Sequence, residues 1–155
     1  MPLYDRLSLF AGYAWREYSD SNHANDVTVS PSYALLAGNP SLRVAYRYRY
    51  LNFERQSFDG YFDPNNFMSH DLEISYVHEI GPFHLTLEPY GGIQSFNRYG
   101  IHNDDNLFGG ISAVAAWKIN RRITVDVSGE FGNYALGSAS GFQYYVVNGR
   151  ILFNF

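Results

Sequence analysis

The sequence has no cysteine, a single lysine and no run of about eighteen apolar residues. The first absence removes disulfide and thiolate chemistry and is compatible with an oxidising compartment. The second, with a formal net charge of -4, leaves no basic surface for nucleic acid. The third excludes a transmembrane helix but not a membrane, because a barrel strand needs only about 9 to 11 residues with alternate positions apolar. Strong helix formers are not unusually abundant. What is plentiful is aromatic or small: 14 Tyr, 12 Phe, 2 Trp and 14 Gly in 155 residues. Tyr and Phe favour strands and suit a membrane interface, so the composition predicts an all-β chain. Its length fits one domain over residues 1–155.

Period-two alternation runs through the whole chain. A first strand carries Leu7, Leu9, Ala11, Tyr13 and Trp15 on one parity, and the polar stretch Ser19–Asn25 follows as a loop. The second strand alternates from Val27 to Leu35, with Pro31 predicting a bulge or local gap because proline removes a ladder donor. Further strands are expected at Ser41–Glu54, Ser69–Ile80, Phe83–Gln94, Leu107–Lys118, Ile123–Phe131 and Phe142–Phe155, with a second irregularity at Pro89. Short turns near Gly38, Gly81 and Asn120 alternate with polar loops at Ser19–Asn25, Gln56–Asn66, Asn97–Asn106 and Asn133–Gly141. Eight strands with alternating short and long connections predict an antiparallel up-and-down transmembrane β-barrel, its eighth strand closing on the first.

Charge separates onto one parity. Arg43, Arg47, Arg49, Asp71, Glu73, Glu88, Asp126, Glu130 and Arg150 all alternate with apolar positions, and their signs are mixed. Pairing of the third and fourth strands sets the arginines against Asp71 and Glu73. Arg150 is expected beside Glu130 and, across the closing seam, near Arg6. Because an eight-stranded barrel is just wide enough for side chains to fill, these residues predict an interlocked plug of ion pairs; the alternative is an anion-preferring pore lined by the arginines. The opposite parity is almost free of charge, with aromatics such as Tyr13, Trp15, Tyr50, Phe83, Trp117 and Phe153 towards strand ends. That resembles the aromatic girdles of a lipid-facing wall, whereas a soluble barrel has the reverse polarity.

Catalysis finds little support. His70 adjoins Asp71, but no Ser/His/acid grouping with convincing spacing appears, and His78 and His84 flank a short turn. His102-Asn103-Asp104-Asp105 has oxygen-rich cation-ligand character but is expected to be a solvated loop. No cofactor or metal is expected, and the outer loops carry no recognisable ligand code.

The terminal stretch FQYYVVNGRILFNF, Phe142–Phe155, resembles the closing strand of bacterial outer-membrane β-barrels, which end on a C-terminal Phe. The resemblance implies that Phe153 and Phe155 form an assembly signal read by the barrel-assembly machinery. It also implies a monomer in the outer membrane, facing lipid, whose targeting segment is missing from this sequence. Its role would be structural or anchoring, with outer loops that bind a partner. The stretch FDGYFDPNNF (Phe58–Phe67), followed by Ser69-His70, resembles a motif in the C-terminal barrels of tetratricopeptide-containing outer-membrane polysaccharide exporters. In that family a periplasmic helical scaffold precedes a barrel of sixteen strands, twice the number read here. This second resemblance implies a membrane part belonging to a larger periplasmic protein.

Overall fold

The computed structural model describes residues 6–56, 63–134 and 142–153. Its strands are β1 (Leu7–Glu17), β2 (His23–Ala37), β3 (Ser41–Phe53), β4 (Asn65–Ile80), β5 (Phe83–Arg98), β6 (Ile101–Lys118), β7 (Ile123–Tyr134) and β8 (Phe142–Phe153). They form one sheet in sequence order, each antiparallel to the next.

Local chemistry fixes the short turns. The Asn39 side-chain amide donates to the Glu79 carbonyl at 2.7 Å and its oxygen accepts from the Glu79 N–H at 2.9 Å, tying the β2–β3 turn to the end of β4. Asn120 Oδ1 accepts from the N–H groups of Arg122 and Ile123 at 2.8 and 3.0 Å, an Asx-type turn between β6 and β7. The two prolines act as their missing donors require. The β2–β3 ladder runs to Val29–Tyr48 and resumes at Ser32–Ala45, while Pro31 stays in register with Leu9 of β1. Pro89 likewise pairs towards Ile111, on the β6 side, and the β4 ladder passes over it from Glu73–Tyr90 to Tyr76–Leu87.

Two expectations are corrected. The polar stretch Asn97–Asn106 is not a loop: β5 and β6 continue through it and turn at Tyr99-Gly100. Both turn residues have positive φ, 50° and 76°, which is the two-residue hairpin geometry that matches strand twist and favours glycine at its second position. More consequentially, the sheet does not close. Among the described residues β1 pairs only with β2 and β8 only with β7, so both outer edges lack ladder partners. Strand number and alternation are those expected of the eight-stranded tube. The closing pair of β8 with β1 is not found among the described residues.

The sheet nonetheless has an inside and an outside. Ser69, Asp71, Gln94 and Asp126 are buried, whereas Leu9, Tyr13, Leu72, Leu107, Trp117, Tyr145 and Val147 on the opposite parity are exposed. A flat single layer would expose both faces equally, so the sheet curls towards its polar face. At the end of the sheet where β1–β2 and β3–β4 connect, Ala24, Leu51, Phe53, Phe67 and Phe96 form an apolar cluster on the inner side, with Tyr18 packed against it. Asn22 closes that end: its amide donates to the Arg55 carbonyl at 2.8 Å and its oxygen accepts from the Arg55 N–H at 3.1 Å.

Candidate functional site: a polar belt across the inner face

Because directly opposed residues of antiparallel strands share a face, the register delivers polar side chains from every strand to one side. On β1 to β3, Asp26 receives two arginines. Arg49 grips it side-on, Nε to Oδ1 at 3.0 Å and Nη2 to Oδ2 at 2.8 Å, and Arg16 Nη1 reaches Oδ2 at 2.8 Å. Arg47 lies against its cross-strand neighbour Asp71 with one hydrogen bond, Nε to Oδ1 at 3.3 Å; its Nη2 stands 2.8 Å from Oδ2 without the alignment of a hydrogen bond, and its Nη1 lies 3.7 Å from Glu73. The side-on grip of Arg49 uses one edge of the guanidinium and suits the planar fork of arginine to the carboxylate.

Further along, hydroxyls replace guanidinium groups. Glu88 accepts from Ser75 Oγ at 3.3 Å and from Ser112 Oγ at 3.2 Å, linking β4, β5 and β6. Tyr144 donates to Glu130, and its hydroxyl lies 3.1 Å from that of Tyr90. That last contact joins β8 to β5 across two intervening strands. It fits because Gly110 and Gly132, opposed in the β6–β7 register, carry no side chains there. A Cβ at Gly132 would stand 2.6 Å from the Tyr90 hydroxyl and 3.0 Å from that of Tyr144. The belt ends at Asp126, which Arg150 meets at 2.9 Å.

The register puts all nine residues expected to line an interior on this face, and among the described residues each guanidinium–carboxylate pair joins adjacent strands, though several partners differ from those expected. Arg43 donates to Ser8 and Ser32 rather than to a carboxylate. Arg150 stands opposite Asp126 in the register, not beside Glu130, which faces Val146. Arg6 donates to the Leu35 carbonyl at 3.2 Å, away from β8. Sequence reasoning missed Asp26, Arg16, Tyr90 and Tyr144. Asp26 follows directly on a segment read as loop, and the tyrosines had no charge to draw attention; the available signal was the presence of Gly110 and Gly132 on the parity that carries Tyr90 and Tyr144. Phe153 is exposed at the end of β8, and Phe155 lies outside the described residues.

A cleft of about 630 Å³ opens on the inner face, lined by Phe10, Arg47, Arg49, Phe67, Asp71, Gln94 and Phe108 among others. A smaller one of about 270 Å³ lies beside it, where Glu73, Glu88, Tyr90 and Glu130 gather. Among the described residues, no group of three or more His, Asp or Glu side chains is arranged to hold a metal ion.

An open all-β sheet, polar within and apolar without, is the class of structure defined so far. By sequence, no family model and no curated protein matches the chain. In structure it is similar to a bacterial polysaccharide outer membrane secretin, with a TM-score of 0.70 over 97% of this chain at 12% sequence identity. The chain spans about half of that protein, 52% of its length. The likeness is therefore one of fold, to part of a larger protein.

Proposed function

We propose that this chain forms a wall of an outer-membrane β-barrel larger than eight strands, whose polar inner face borders a route for polysaccharide export. The observation carrying the reading is the open sheet, with polar groups covered on its inner side and large apolar groups exposed outside. In water that distribution is costly; against lipid it is the favourable one. Two unpaired edges are equally unfavourable in hydrocarbon, at several kcal/mol per unsatisfied backbone group, so further strands have to complete the ring. The likeness of fold to about half of a polysaccharide secretin supports a wall that is one part of a larger whole. The barrel-assembly machinery inserts the wall, and Phe153 belongs to the strand it reads. No chemical step is assigned to it.

Pairs of cysteines at outward positions of β1 (Leu9, Ala11) and β8 (Val147, Gly149), in protein refolded into detergent, test the reading. Open edges give disulfides between chains or none at all. High-yield disulfides within one chain would mean that β8 closes on β1, and the proposal would fall in favour of a narrow anchoring barrel.

A further inference from the structure

We infer that the larger inner cleft is a binding subsite for an uncharged stretch of glycan, resting on the export reading above and giving its route a defined contact point. Charge is the first argument. Arg49 is matched by Asp26 and Arg47 by Asp71, whose side chain is 1% exposed, so the two guanidinium groups are already neutralised where they enter the cleft. A free anion or cation gains little net Coulomb attraction there, but a neutral polyol still meets directed donors and acceptors. Both arginine side chains remain about 40% exposed, 40% for Arg47 and 39% for Arg49, so part of each guanidinium is open to the cleft. Thr28, Ser30, Ser69 and Gln94 add hydroxyl and amide groups around them.

The second argument is Phe10. It stands on the polar parity of β1, opposite Ser30 and flanked by Ser8 and Gly12, and is 61% exposed. An exposed phenylalanine there contributes nothing to a core. The tip of its ring lies over Gly12, where a Cβ would stand 3.1 Å from Cζ, and the side chain lines the cleft. Phe67 and Phe108, both largely buried, back the wall of the cleft from β4 and β6. The C–H bonds on a pyranose face carry slight positive charge and the face of an aromatic ring is slightly negative, so rings and sugars stack while sugar hydroxyls reach polar groups at the rim. The volume lies within the range of small-molecule sites, which combine apolar walls with a few placed polar groups.

Isothermal titration calorimetry of the detergent-refolded chain tests this with cellohexaose and maltohexaose as neutral probes, and with a hexagalacturonate and a chitosan hexamer as anionic and cationic ones. The expected result is saturable binding of at least one neutral hexasaccharide that barely changes between low and high salt. Phe10→Ser should weaken it by roughly tenfold without altering the β-sheet circular dichroism, since that ring is exposed. Three results overturn the inference: no neutral probe binds to correctly folded protein, Phe10→Ser leaves affinity unchanged, or only a charged probe binds and does so with steep salt dependence. None of these bears on whether β8 pairs with β1, so the subsite can fail while the wall reading stands.

Discussion

On β1 to β4 the inner face is clamped by guanidinium–carboxylate pairs, whereas on β5 to β8 the carboxylates Glu88 and Glu130 are met by serine and tyrosine hydroxyls. The difference is one of how much each carboxylate depends on its partner. Asp71 is 3% exposed and has a charge to neutralise; Glu88 and Glu130 are only half-buried and are served by hydroxyl donors. The first half is therefore held by charge pairing. The second, apart from Arg150 on Asp126 at its edge, is held by fit, through a trench that two glycines leave for two tyrosines.

The largest effect is expected where the clamp is most buried. Arg47→Ala leaves Asp71 as an uncompensated carboxylate under the face, and loss of one partner of such a pair costs about 3–5 kcal/mol. Glu73 cannot relieve it, being of the same sign. Unfolding by urea in detergent, followed by the fluorescence of Trp15 and Trp117, measures the loss. A change below about 1 kcal/mol would place Arg47–Asp71 with ordinary surface pairs and erase the contrast between the halves.

Gly132→Ala comes next and probes the other half. The added Cβ meets both tyrosine hydroxyls, so Tyr90 and Tyr144 have to part or the β7 backbone has to move. Overpacking of this kind costs about 1–3 kcal/mol. Combining Gly132→Ala with Tyr90→Phe, which removes the crowded hydroxyl, should recover part of the loss in the same urea titration. No recovery would mean that the trench is a backbone requirement, unconnected with the tyrosines.

Which parts of this were legible beforehand follows from the range of the forces involved. Alternation is local, and the parity that carries Arg47, Asp71, Glu88 and Arg150 is the inner face in the structure. Closure is not local: eight strands alternate in the same way whether the sheet meets itself or stays open, because curvature is set by contacts several strands apart, such as Tyr90 with Tyr144. Polarity misled at Asn97–Asn106, where Tyr99-Gly100 was the better turn signal than the surrounding asparagines and aspartates. Asp26 is hard to read because the charge pattern points its partner Arg49 to the carboxylates of the next strand. The register, with Thr28 rather than Asp26 opposite Arg49, explains the omission: the pair is diagonal, and straight cross-strand reasoning does not reach it.

The smallest effects decide whether hydroxyl donors and exposed cations matter at all. Arg150→Met removes a partner of Asp126, itself largely buried, yet the Asp126 side chain is 11% exposed against 1% for Asp71 and that of Arg150 is 67% exposed, so water reaches this pair and a loss of about 1 kcal/mol, well short of that of Arg47→Ala, is expected. Glu88→Gln should fall in the same range: the amide oxygen still accepts from one serine, and the other hydroxyl can rotate to donate elsewhere. If either variant lost as much stability as Arg47→Ala, the second half would depend on charge as strongly as the first. Burial, rather than the identity of the charged group, would then have failed as the reason the two halves differ.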